Sequence, residues 1–133
     1  MTNEETYSIA QLAQDFDVTS RAIRFYEDQG LIHPKRVGQT RIYNKGDRAR
    51  LAWILKGKSV GFSLNEIGEL LDLYTLEDGR KTQRAVTLER CNERIVDMKE
   101  QQDNLGFMIK ELEQFCDLLN SPEIEDKIQK AVS

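Results

Sequence analysis

Thr19-Ser20-Arg21-Ala22-Ile23-Arg24-Phe25-Tyr26-Glu27-Asp28-Gln29-Gly30 is the stretch whose reading decides the fold. It has the marks of a short helix with a start, a stop and two opposed faces. Thr19 or Ser20 can cap the first amides, and Gly30 suits the left-handed turn that ends a helix. Arg21 and Arg24 lie three apart and share a face, while Ile23 points elsewhere and Phe25 or Tyr26 falls near the boundary. One side can be buried while the other presents guanidinium forks. Upstream, Ser8-Ile9-Ala10-Gln11 is a capping box, and Ile9, Leu12, Ala13 and Phe16 recur at helical spacing, which predicts a preceding helix. Asp17-Val18 makes the turn between the two. Such a pair reads as a helix-turn-helix, whose second helix lies in the major groove of DNA. A helical hairpin with merely solvated arginines stays open on these residues alone.

Residues 31 to 43 follow, with Ile42 between Arg41 and Tyr43 in period-two alternation and Gly38 at a loop tip, the pattern of a β-hairpin wing. Arg36 and Arg41 flank the tip, where they can clamp phosphates beside the groove. Charge is divided along the chain in the same sense. The formal net charge over 133 residues is −4, yet residues 18 to 60 hold ten Lys or Arg against three acids, net +7. Residues 61 to 133 hold nine against sixteen, net −7. A phosphate-binding head and a solvated stalk follow. With 39% apolar and 32% charged residues, the chain can bury one small core. It has no run of about 18 apolar residues and no recognisable export leader, so a cytoplasmic location without a membrane partner is expected.

Asn44 to Lys58 reads as a third helix, with Leu51, Ala52, Ile54 and Leu55 as its apolar stripe and Gly57 and Gly61 helping to end it. Trp53 is expected in the core, a ligand-stacking role being the competing idea. Lys56 and Lys58 are either dipole-compensating surface residues or a second phosphate contact. Ser63-Leu64-Asn65-Glu66 is another capping box, starting a fourth helix to about Tyr74 with Leu64, Ile67, Leu70, Leu71 and Leu73 facing inward.

From Lys81 onward, Leu88, Cys91, Ile95, Met98, Gln102, Leu105, Ile109, Leu112, Cys116 and Leu119 follow alternating steps of three and four. That is a heptad seam with Leu88 at a and Cys91 at d. It runs roughly 46 Å at the helical rise, too far for a small domain to shelter, so self-pairing into a homodimer is expected. If two copies run antiparallel, centred between Asp103 and Asn104, every a residue meets a d residue, and Cys91 meets Cys116 of the other copy. Shifting the centre by half a heptad keeps the same rule. Gly106 sits in mid-helix at a cost of about 1 kcal/mol relative to alanine, marking a bend or a close approach.

Ala22 to Glu27 with Gly30-Leu31, the wing ending Arg41-Ile42-Tyr43, and Val60 to Ile67 before a long helix stand in one order. In that order the chain resembles the mercury-resistance regulator (MerR) family of bacterial transcription factors over about Tyr7 to Leu119. The resemblance implies an all-α fold with a small β-wing: a winged helix-turn-helix head joined to a long helix that dimerises as an antiparallel coiled coil. Expected boundaries are 1–76 for the head, 77–119 for the dimerisation helix and 120–133 for a short tail. It further implies a homodimer on a palindrome of double-stranded DNA inside a promoter spacer, distorting it so that RNA polymerase engages or fails to engage. DNA contacts carried over are Ser20, Arg21, Arg24 and Tyr26 from the helix and Arg36, Thr40, Arg41 and Tyr43 from the wing, with Lys58 in support. Arg24 is the first choice for a base edge.

The chain departs from metal-sensing members. Cys116 falls near the position of their first metal cysteine, but no second Cys or His follows it, and Lys81 stands where the partner helix would offer a thiol. Neither a metal nor another cofactor is expected, and His33, the only histidine, is read as structural or a phosphate neighbour. A thiol switch through Cys91 and Cys116 is one alternative. An effector-independent DNA-bending protein with the same head is another. Only fourteen residues follow Leu119, so a separate effector domain is not expected; Ser121-Pro122 reads as a helix cap, with Ile124 and Ile128 packing back. A small-molecule effector would then bind where the fourth and long helices meet, near Tyr74, Leu76 and Phe107. Gly38 to Tyr43, Asp47 to Leu51, Ile54 to Lys58 and Leu70 to Tyr74 are similar to the subgroup regulating leucine and isovalerate utilisation. No constellation of nucleophile, base or metal suggests an enzyme.

Overall fold

The structure, a computed structural model, describes residues 5–74, 77–121 and 123–132, apart from the Ile124 side chain. Its elements in order are α1 (Ile9–Phe16), α2 (Ser20–Asp28), β1 (Lys35–Val37), β2 (Thr40–Ile42), α3 (Lys45–Ser59), α4 (Leu64–Asp72), α5 (Lys81–Leu119) and α6 (Ile124–Val132). Helices with one small antiparallel sheet are what the sequence predicts.

Local chemistry sets the boundaries. Ser8 Oγ accepts from the Gln11 amide at 3.0 Å while Gln11 Oε1 accepts from the Ser8 amide at 2.7 Å, closing the capping box of α1. Asp17 then turns left-handed at φ 54°, a conformation that aspartate tolerates better than most residues. This turn lets α2 start at once, with the Ala22 amide donating to Thr19 Oγ1 at 3.0 Å. Gly30, at φ +76°, takes the chain out of α2.

In the wing, Lys35 pairs with Ile42, Arg36 with Arg41 and Val37 with Thr40 around a tip at Gly38, φ +64°. Tyr7 and Tyr43 exchange backbone hydrogen bonds of 2.8 and 3.0 Å, which ties the start of the chain to the wing's base. Asn44 and Asp47 form a capping box for α3, so the nearly buried Asp47 carboxylate receives the Asn44 amide at 2.9 Å. Gly57 does not end α3: the helix runs to Ser59, and Gly61 at φ +93° makes the exit. A Cβ on Gly57 would lie 2.9 Å from Ile67 Cγ1, so the missing side chain is what lets Ile67 of α4 pack against α3 here.

The chain divides into two compact units, Met1–Val86 and Thr87–Ser133. Gln83 explains why the first reaches beyond residue 76, since its side chain is buried and its Nε2 donates to the Leu70 carbonyl at 3.1 Å. The core of this unit gathers Leu12, Ile23, Ile32, Leu51, Ile54 and Ile67, each no more than 2% exposed. Each such side chain contributes about 1.5–3 kcal/mol through burial.

Tyr26 and Tyr43, both expected as DNA contacts, belong to this core. Tyr43 is fully buried and its hydroxyl has no hydrogen-bond partner among the described residues, so this side chain presents no exposed surface to a phosphate. Tyr26 is 4% exposed because its ring lies on the Ile23 side of α2. Trp53, by contrast, is only half-buried.

In the second unit, the α5 seam is open. Leu88, Ile95, Met98, Leu105, Ile109, Leu112 and Leu119 are each between 47% and 63% exposed. An added Cβ at Gly106 meets nothing within 4 Å in the chain. In the tail, α6 carries Glu125 and Asp126 in its first turn and Lys130 in its last, the polarity that a helix dipole favours. Ser121 Oγ accepts from the Glu123 amide at 3.3 Å, and Ile128 is half-buried. Pro122, Leu76 and the Ile124 side chain, named above, lie outside the described residues, and Phe107 is 64% exposed.

Candidate nucleic-acid interface

One turn of α2 decides what faces outward. With Ile23 and Tyr26 held in the core, Arg21 and Arg24 emerge together on the exposed side. Neither guanidinium is in a salt bridge among the described residues, so both keep their full donor sets for a partner. Ser20, half-buried at the first helical position, and Phe25, 47% exposed, flank them.

The wing arginines are placed differently. Arg36 and Arg41 stand directly opposite each other across the hairpin, an arrangement that repels. Glu27 at the end of α2 relieves it by taking one arginine on each oxygen: Oε2 accepts from Arg41 Nε at 2.6 Å and Oε1 from Arg36 Nη2 at 3.2 Å. The Glu27 side chain is 15% exposed, Arg41 22% and Arg36 53%. Burial raises the Glu27 pKa, but the hydrogen bonds from Arg41 and Arg36 outweigh it and hold the carboxyl below its ordinary value. Arg41 is therefore chiefly a strut between wing and recognition helix, whereas the more exposed Arg36 and the exposed Thr40 and Lys35 face solvent. Glu27 was invisible as a site residue in sequence because its partners lie nine and fourteen positions away, beyond any local spacing rule.

Lys58, exposed on α3, reaches across to Tyr26 of α2. Its ammonium sits 5.5 Å from the Tyr26 ring centre and donates a hydrogen bond to the Tyr26 hydroxyl oxygen at 3.5 Å. Tyr26 thus positions a cation beside α2. Arg48, equally basic in sequence, is used inside the head: its guanidinium lies 4.9 Å from the Phe16 ring centre and 5.7 Å from that of Tyr7. Among the described residues no three His, Cys, Asp or Glu side chains are grouped to hold a metal ion, and Cys91 and Cys116 are free thiols. No helix among them is long and apolar enough to cross a membrane.

Comparison with known proteins agrees with this geometry. Residues 7–73 match the family described as MerR HTH family regulatory protein, and residues 48–115 that described as MerR, DNA binding. The mercuric resistance operon regulatory protein of Pseudomonas fluorescens is 33% identical over 108 residues, covering 80% of this chain and 72% of that protein. A MerR family transcriptional regulator from Bacillus cereus shares the fold with a TM-score of 0.64 at 23% identity, covering 96% of this chain and 97% of that one. The transcription regulator PbrR691 from Ralstonia metallidurans CH34, solved in complex with lead(II), does so with a TM-score of 0.65 at 22% identity, covering 90% and 97%. Fold, exposed arginines and sequence relationship converge, and the chain belongs to the MerR family of DNA-binding transcription regulators, which are not enzymes.

Proposed function

We propose that this regulator acts as a homodimer, paired through the α5 seam as an antiparallel coiled coil, and reads a palindromic operator in a promoter spacer. The observation that carries this reading is the pairing of two unbridged arginines on the outer face of α2 with a heptad seam that the chain itself leaves uncovered. A two-fold dimer presents two such helices to half-sites about one DNA turn, or a multiple of it, apart. Arg24 takes a base edge with Arg21 beside it, and Ser20, Thr40, Arg36 and Lys58 take phosphates. Bending and untwisting the spacer then changes how RNA polymerase meets the promoter.

The effector in this reading is a non-metal compound. Its support is the donor set: among the described residues no three His, Cys, Asp or Glu side chains are grouped to hold a metal ion, so a Cys91–Cys116 pair across the seam would bring together two thiols and no third such ligand from either chain's own clusters. Similarity of the head to the leucine and isovalerate subgroup makes acyl catabolism genes the first candidates for control.

Selection of duplexes from a random library, followed by footprinting, tests the proposal. Two inverted half-sites protected on one face are expected, with Arg24→Ala relaxing the choice of one base pair per half-site. A single unrepeated site, or no enrichment over bulk competitor, would overturn it.

A further inference from the structure

A cleft in the first unit, away from the arginines of α2, has the chemistry of a ligand site. It encloses about 230 Å³ between α3, the end of α4 and the start of α5. Leu71 and Gln83, both buried, line it together with the half-buried Trp53 and the more exposed Tyr74. Arg50 of α3 and Arg80, just before α5, both line it.

The arginines are what distinguish this cleft from an ordinary crease. Arg50 is fixed by donating from Nε to the Leu31 carbonyl at 2.8 Å, which leaves its two Nη groups without a partner among the described residues. Arg80 lies with its guanidinium 5.9 Å from the Tyr74 ring centre and is in no ion pair among the described residues. The neighbouring acid, Asp78, accepts a hydrogen bond from Thr82. Neither of the two guanidinium groups lining this aromatic-walled space is in an ion pair among the described residues, and bidentate donors of this kind match a carboxylate. The indole of Trp53 makes no hydrogen bond among the described residues, so its face and edge are both left for a ligand. The volume lies below the range of drug-sized pockets and suits a body of few heavy atoms.

We infer that this cleft binds a small organic carboxylate, its acid group held by Arg50 and Arg80 and its apolar body between Trp53, Tyr74 and Leu71. Because Leu71 of α4 and Gln83 of α5 both line the cleft, an occupant contacts the two helices at once. Only the consequence for transcription rests on the dimeric operator reading; binding itself does not. By linkage, whatever factor the carboxylate applies to operator affinity, DNA applies to carboxylate affinity.

Trp53 is the only tryptophan, so its fluorescence reports on the cleft in the full chain without DNA. Phenylacetate and isovalerate are titrated as probes with an aromatic and a branched aliphatic body, each against its neutral carboxamide. Saturable change with at least one acid, about tenfold weaker or absent with its amide and about tenfold weaker in Arg80→Gln, is expected. Arg80→Gln is the primary variant because Arg50 also holds the Leu31 carbonyl; its far-UV spectrum confirms that it folds. No saturable response to either acid, equal response to acid and amide, or an unchanged affinity in a folded Arg80→Gln protein overturns the assignment. A chain that binds the carboxylate but no duplex refutes the operator reading and leaves this site standing; a chain that binds duplex but no carboxylate does the reverse.

Discussion

Replacing Glu27 separates the two jobs of the basic head. Its bond to Arg41 is short, 2.6 Å, between groups that are 15% and 22% exposed, whereas its bond to Arg36 is 3.2 Å and half in solvent. Exposed ion pairs are worth about 0.2–1 kcal/mol and charged hydrogen bonds about 1.5–3 kcal/mol. The Glu27–Arg41 coupling should therefore be about 1–2 kcal/mol and the Glu27–Arg36 coupling no more than about 0.5 kcal/mol. Urea unfolding of Glu27→Gln, Arg41→Gln, Arg36→Gln and the two double variants, at one fixed protein concentration, measures both. Couplings that are equal, or both below about 0.3 kcal/mol, would refute the strut. The pH dependence has a definite sign. The folded pKa of Glu27 is lowered from an ordinary value of 4.5, so its contribution is fully present above that value and is lost as pH falls through the lowered one. Near neutral pH the wild type and Glu27→Gln should differ by a constant amount, converging only in acid.

Five further outcomes follow from the same geometry. Arg24→Ala should cost about 1–3 kcal/mol at one base position, whereas Lys58→Ala should weaken all duplexes alike and flatten the salt dependence, both read by titration at stated salt. Tyr43→Phe removes a buried hydroxyl that has no partner among the described residues, so urea unfolding should find it neutral or stabilised by up to about 1 kcal/mol; a loss above that would mean the hydroxyl is bonded. Gly57→Ala forces a Cβ against Ile67 and should destabilise by about 1 kcal/mol after the gain in helix propensity, where an unchanged midpoint would refute the close approach. Mild oxidation should crosslink Cys91 of one chain to Cys116 of another if the seam is centred between Asp103 and Asn104, and mixed single-cysteine variants that give no such bridge would rule out that centre.

Local signals made most of the head legible. Capping boxes at Ser8 and Ser63, the cap at Thr19 and the left-handed glycines at 30 and 38 mark boundaries by short-range chemistry, and the structure has each of them. What the sequence hid was non-local. Tyr26 and Tyr43 look like surface aromatics next to arginines, yet the packing of α2 and the wing buries them. Gly57 has the look of a helix stop, but its role is to let Ile67 approach. Arg36 and Arg41 read as two equal clamps until Glu27, on another element, draws one of them inward. Trp53 was expected in a core because its helix is amphipathic, and only the approach of Tyr74 and Arg80 turns its surroundings into a cleft.

Sedimentation equilibrium of the chain at low micromolar concentration, beside Leu105→Glu, tests the two-headed reader most directly. Pairing through the α5 seam predicts twice the chain mass for the native sequence and a single chain mass for the variant, with the head still folded. A native chain that sediments as a monomer, or a variant that dimerises as well as the native chain, would contradict it.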